Sequence, residues 1–247
     1  MENGGSPAAE VVFFTDTFVN HNEPGLGRAA LKLLEASGAR ISVPEVVCCG
    51  RPMISKGLLS QATENARKNV AILAPFVEAG AFIVGCEPSC ILTLRDEYPD
   101  LLRTEEARRL AERVMLLEEF LLHQVEAAGW APRFADAERS ILVHGHCHQK
   151  SLVGTSPLLR LLRMPPKFKV EEIDSGCCGM AGSFGYEKEH YDISLQIGEL
   201  ALFPAIRKTP RDTEIVASGI SCRQQILHAT GRKAHHFAEV LSGQLLD

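Results

Sequence analysis

The sequence has no uninterrupted apolar run approaching the ~18 residues that cross a bilayer. Its best, Val70–Val77, is broken by Pro75 and closed by Glu78. Positive charge is short, with 26 Lys and Arg against 31 Asp and Glu, which excludes a nucleic-acid binder working through a broad basic surface. The opening MENGGSPAAE has neither the basic start nor the apolar stretch of a secretory signal. The expectation is a cytoplasmic chain with no transmembrane segment. No Ser-His-Asp grouping and no H-E-x-x-H pattern supports hydrolysis. No C-x-x-C-x-x-C-x-x-x-C-P run supplies a ferredoxin-type cluster.

Cysteine is what the chain has in plenty. Eight occur in 247 residues: Cys48, Cys49, Cys86, Cys90, Cys147, Cys177, Cys178 and Cys222. In a reducing compartment thiols stay reduced. Four of the eight also form vicinal pairs, each followed by glycine, and adjacent cysteines rarely reach disulfide geometry without strain. Metal or cluster ligation is therefore the leading expectation, and buried inert thiols are the plainer one.

The chain is written twice. Val11-Val12-Phe13-Phe14 leads to Thr17, and Ile141-Leu142-Val143-His144 leads to Cys147. Cys48-Cys49-Gly50 follows the first anchor by 31 residues, and Cys177-Cys178-Gly179 follows the second by 30. Apolar runs at 81–84 and 213–216 lead into Cys86…Cys90 and Ser218…Cys222. Glu118-Glu119-Phe120-Leu121 and Ala238-Glu239-Val240-Leu241 then close the halves. A repeat this long is domain-sized, so it implies two similar lobes rather than a solenoid. The expected division is a polar tail at 1–10, a first lobe at 11–128, a linker at 129–139 and a second lobe at 140–247.

Within each lobe strands alternate with helices. Helices are predicted over Leu26–Ala36, Leu58–Val77, Pro157–Arg163 (with Ser156 as its cap) and Glu187–Ile206. The apolar runs at 81–85 and 213–217 read as strands buried on both faces. The fold class is α/β, a tandem duplication of two lobes, each a small parallel sheet with flanking helices. Gly25-Leu26-Gly27-Arg28-Ala29-Ala30 fits G-x-G-x-x-A, but it lies about ten residues beyond its strand, so it reads as a helix start.

Ligands of open parallel sheets collect at the carboxyl ends of the strands. Each lobe delivers its cysteines there: Cys48, Cys49, Cys86 and Cys90 in the first, Cys147, Cys177, Cys178 and Cys222 in the second. Soft thiolates suit iron–sulfur clusters or zinc. Gly50 and Gly179 permit close backbone approach and N–H groups aimed at sulfur. His144, His146 and His148 flank Cys147 with period two. One of them can approach the metal, and His146 and His148 are the candidates, although a satisfied polar loop explains them too. Glu87 and Asp174 sit beside cysteines and read either as groups that support the ligands or, more plainly, as solvated acids, and Arg223 either caps its own helix or meets a partner's cofactor.

The segments CCGRPMISKGLL, GCEPSCILTLRDEYPD, HGHCHQKSLVGT, DSGCCGMAGSFGYEKEHYD and SGISCRQQILHATGR resemble the cysteine-rich CCG domain pair. That pair occurs in a subunit of heterodisulfide reductase, in glycolate oxidase iron–sulfur proteins, and in a subunit of anaerobic glycerol-3-phosphate dehydrogenase. It also forms the C-terminal part of FAD-linked D-lactate dehydrogenase-type oxidases. The resemblance implies a 4Fe-4S-type iron–sulfur cluster on these cysteines and electron transfer in oxidation of a 2-hydroxy acid. It implies as partners an FAD-containing oxidase subunit and a ferredoxin-type iron–sulfur protein, through which the chain would sit peripherally at a membrane. The fullest family pattern has five cysteines per lobe. Here Thr17 and Ser218 stand where two of them would be. That leaves open a zinc-binding or metal-free structural subunit as the alternative.

Overall fold

The structure, a computed structural model, describes residues 8–246, so most of the expected N-terminal tail lies outside the described residues. The first lobe holds β1 (Glu10–Phe13), β2 (Arg40–Ser42), β3 (Phe82–Gly85) and β4 (Val114–Leu116), all parallel in the order β2-β1-β3-β4. Between and after them run α1 (Thr17–His21), α2 (Pro24–Ala36), α3 (Arg51–Ser55), α4 (Leu59–Glu78), α5 (Pro88–Arg95), α6 (Glu97–Leu102), α7 (Glu105–Glu112) and α8 (Leu117–Ala127). The second lobe repeats the plan. Its strands are β5 (Arg139–His144), β6 (Phe168–Glu172), β7 (Glu214–Ala217) and β8 (Ala234–His235), parallel in the order β6-β5-β7-β8. Its helices are α9 (Cys147–Leu152), α10 (Ser156–Leu162), α11 (Tyr191–Glu199), α12 (Leu202–Lys208), α13 (Ile220–Thr230) and α14 (Phe237–Ser242). Identical strand order in both lobes is the expected duplication in three dimensions.

Side chains alternate across a strand, and that alternation divides the core. Val11 and Phe13 face inward with Ile141 and Val143, meeting Leu33, Phe120, Leu161 and Phe237 from α2, α8, α10 and α14 in one core shared by both lobes. Val12 and Phe14 face the first lobe's outer core, and Leu142 faces the second's. The inner helices are thus the mortar between two sheets. The closing repeat becomes a pair of matched caps. Glu119 accepts the N–H of Leu116 at 2.9 Å, and Glu239 accepts that of His236 at 3.0 Å.

Two expectations are corrected. The long helix over 187–206 is broken into short 3-10 turns, α11 and α12. Pro204 has no N–H for the carbonyl of Leu200, so the helix must restart with proline in its first turn. The ring of Phe203 then folds against Gly198, where a Cβ would stand 2.1 Å from it. Ser156 is the first residue of α10 rather than its cap; Thr155 precedes the helix and makes no side-chain capping bond.

Candidate metal centres

Three turns at the carboxyl rim supply the donor side chains of each lobe: the one after β1 or β5, the CCG loop, and the start of α5 or α13. In the first lobe side-chain contacts run from Thr17 to Cys48, on to Cys49, and on to Cys90. In the second they run from Cys147 to Cys177, Cys178 and Cys222. The two series match position for position, with the Thr17 hydroxyl where the Cys147 thiol stands. None of the eight cysteines is in a disulfide. Cys147 is exposed and Cys48 and Cys177 are half-buried, so both sites open toward solvent at the same end of their series.

Electrostatics within each series are uneven. Cys90 accepts the hydrogen bond of Cys49, which lowers its thiol, yet burial and the carboxylates of Asp16 and Glu87 push it up to about 11. Cys177 is held far below the usual thiol range by hydrogen bonds from Cys147 and Cys178, aided by the N–H groups of Gly179 and Ala181. Cys222 is held down by Cys178, with the imidazole of His144 beside it. Sulfurs that share protons in this way are a donor set in which a soft metal can replace those protons.

The CCG glycines are required by backbone geometry. Gly50 adopts φ +89° and opens α3; Gly179 adopts φ +99°, and a Cβ there would lie 2.0 Å from the carbonyl oxygen of Ser194. Gly179 N–H donates to Cys177 Sγ at 3.3 Å, and Arg51 N–H to Cys49 Sγ at 3.5 Å. Such donors stabilise sulfur-centred negative charge and raise a cluster's potential.

The structure does not bring Cys86 to the other three thiols of its lobe. Alternation beyond β3 turns Cys86 to the inner side with Val84, into the shared core, where its charged neighbours are Asp16, Glu118, Arg223 and Glu87. Ser218, its counterpart, is equally buried, and its hydroxyl has no partner. The spacing Cys86-x-x-x-Cys90 does not betray this, because consecutive ligands and opposite faces read alike in one dimension.

The three histidines separate. His146 caps α9 through Nδ1, accepting the N–H of His148 at 3.2 Å, while its Nε2 meets Ser89 Oγ of the first lobe at 3.2 Å. His148 faces Asp96 and Glu97, not sulfur. Burial, with Arg51 and His146 nearby, pushes its pKa down to about 4. His144, which the period-two pattern did not single out, is the one whose ring nitrogen lies within 4.8 Å of the Cys178 and Cys222 sulfurs. Its signal was the strand register, which places it opposite Ala217 at the rim.

Buried polar groups stitch the lobes together. Glu87 is 3% exposed, not a solvated acid, and accepts the N–H of Ile220 across the interface at 2.8 Å. Asp174, by contrast, is exposed. Arg223 is spent on structure: it donates to the carbonyls of Ala217 and Ser218 and pairs with Glu23 of the first lobe. Gln149 donates to Glu118, and at the surface Lys56 pairs with Glu187. Between the lobes a cavity of about 200 Å³ is lined by Phe18, Arg51, Cys90, Tyr186 and Ile220, among others, and brings open space to Cys90.

A two-lobed α/β protein with a series of thiols on each sheet rim is a cysteine-rich metal-binding module. Residues 11–95 match the family model described as CCG, cysteine-rich domain. The chain is 31% identical over 238 residues to a subunit of the anaerobic glycerol-3-phosphate dehydrogenase of Escherichia coli, covering 96% of this chain and 59% of the relative. It is 27% identical to D-2-hydroxyglutarate dehydrogenase of the same organism, covering 97% of this chain and 23% of that protein. Lactate utilization protein A of Bacillus licheniformis is 26% identical, with 95% of this chain and 100% of that one covered. The chain therefore spans little more than half of the first relative and under a quarter of the second. A crystal structure of a hypothetical protein from Helicobacter pylori shares the fold at a TM-score of 0.53 and 13% identity, over 97% of this chain and 50% of that one.

Proposed function

We propose that this chain is an iron–sulfur electron-transfer module that accepts electrons from a flavoprotein oxidising a hydroxyl-bearing carbon. The observation that carries this is the pair of matched donor series, Thr17-Cys48-Cys49-Cys90 and Cys147-Cys177-Cys178-Cys222, with backbone N–H groups aimed at their sulfurs. The donor sets fit a soft metal centre: four thiols in the second lobe, three thiols and a hydroxyl in the first. When bound, a cluster of the 4Fe-4S type would supply one-electron storage close to the protein surface. The residues do the rest. They hold the sulfurs at the rim, supply N–H donors, and leave the half-buried thiols facing outward for a partner.

The relatives named above support the wider setting. Glycerol 3-phosphate, D-2-hydroxyglutarate and lactate all give up two electrons from a carbon bearing a hydroxyl, and glycolate belongs to the same chemistry. The flavin partner is thus an FAD-containing oxidase or dehydrogenase, with a ferredoxin-type iron–sulfur protein or domain as the next carrier. No described helix is long and apolar enough to cross a membrane.

The test is anaerobic purification followed by iron, acid-labile sulfide and zinc analysis, with EPR of the reduced protein. Iron and sulfide in fixed ratio with an EPR-active reduced state is the expected result. Stoichiometric zinc without iron or visible absorbance would replace electron transfer by a structural role.

A further inference from the structure

We propose that His144 Nε2 is a metal ligand of the second lobe, giving that centre a mixed sulfur–nitrogen donor set that the first lobe cannot have. The proposal rests on the metal-centre reading above and adds to it a residue and a difference between the lobes.

Position comes first. His144 ends β5, paired with Ala217 of β7, and side-chain alternation sends it to the outer face with Leu142, where Cys178 and Cys222 also lie. One ring nitrogen and the two sulfurs lie mutually within 4.8 Å. On a single tetrahedral ion, sulfur at ~2.3 Å and nitrogen at ~2.0 Å stand about 3.6 Å apart, whereas in a cluster each donor would take a separate metal; the spacing here brings the ring within reach of the same centre as the two sulfurs.

The hydrogen bonding then decides which nitrogen is available. Nδ1 lies 3.0 Å from Ser175 Oγ, while Nε2 is buried without a well-formed hydrogen bond, the Cys222 sulfur being the polar group beside the ring. The residue is fully buried, and an unpaired polar atom there costs about 1–3 kcal/mol. A neutral imidazole that donates from Nδ1 presents a lone pair at Nε2, and this is how metal-bound histidines are commonly oriented. Ser175 lies two residues before Cys177, so the loop that presents the vicinal thiols also aims the ring.

Comparison of the lobes makes the residue specific. Aligning the strand ends puts Phe14 where His144 stands, Asp16 where His146 stands and Thr17 where Cys147 stands. Phe14 is buried and carries no donor atom. The first lobe therefore offers three converging thiols and a hydroxyl; the second offers four thiols and an imidazole. Two centres derived from one duplicated site would thus differ in ligand field and in potential.

The experiment uses the full chain in two arms. In the first, protein grown with ¹⁴N- or ¹⁵N-histidine is loaded anaerobically with ferrous iron and sulfide, reduced, and examined by pulsed EPR. A strongly coupled nitrogen that changes with the isotope is expected in the wild type and is lost in His144→Phe, the residue of the first lobe. In the second arm metal-free, reduced protein is titrated with cobalt(II), which reports ligand type whether the native metal is iron or zinc. His144→Cys, which keeps a donor at the site, shifts the cobalt ligand-field bands toward an all-sulfur spectrum if His144 binds. Loaded wild-type protein without histidine coupling, or with cobalt bands unaltered in both variants, overturns the role of His144 and leaves the metal-centre reading standing. A chain that binds neither iron nor cobalt overturns both.

Discussion

Glu87 of the first lobe accepts the backbone N–H of Ile220 in the second at 2.8 Å, while its other oxygen lies 3.4 Å from the N–H of Ser89. One buried carboxylate thus serves two helix N-termini, α5 and α13, each of which carries a site cysteine on its third residue. Helix N-termini have unpaired N–H groups and partial positive charge, so a carboxylate is well placed there. Glu87→Ala is expected to lower stability by about 1–3 kcal/mol. Glu87→Gln should cost less, because the amide oxygen still accepts. Urea denaturation of the two variants checks the order.

The two CCG glycines are not equally replaceable. Both sit at positive φ, which costs an L-residue about 1–2 kcal/mol. At Gly50 the nearest backbone atom to a new Cβ is Ala62 Cα at 3.3 Å, whereas at Gly179 it is a carbonyl oxygen at 2.0 Å. Gly50→Ala should fold with a lowered melting temperature; Gly179→Ala should disrupt the second lobe's loop outright. Thermal unfolding with metal analysis distinguishes the two outcomes.

Cys86 provides a test of the first lobe's ligand set. Cys49→Ser and Cys90→Ser are expected to empty that lobe of metal and leave the second loaded. Cys86→Ser, which installs the residue its counterpart Ser218 already is, should retain the full complement. Equal metal loss in all three variants would return Cys86 to the donor set.

Glu118 sets a pH dependence. Burial pushes its pKa up to about 8 from an ordinary 4.5. Its Oε1 accepts from Gln149, while its buried Oε2 is without a partner. The folded state holds the carboxyl proton more tightly than the unfolded chain. The stabilisation is therefore full below about pH 4.5 and is lost as pH rises through about 8, at up to about 1.4 kcal/mol per pH unit. Glu118→Gln should flatten that slope and be the more stable form above pH 8. Denaturation from pH 5 to 9 measures it.

Much of this protein is legible along the chain. Residue order alone determined the duplication, the parallel α/β lobes, and the arrival of Cys48, Cys49, Cys90 and their counterparts at a strand's carboxyl end, because apolar periodicity and glycine placement are local properties. The tertiary structure decided what depends on which way a side chain points and on what the other lobe supplies. It turned Cys86 into the shared core, gave Glu87 a second helix to cap, and joined Glu118 to Gln149 across the interface. It also brought His144, and not His146 or His148, to the sulfurs. Rim residues one or two positions apart look interchangeable in a sequence. Strand alternation and packing between the lobes separate them, since each adjacent residue faces a different core.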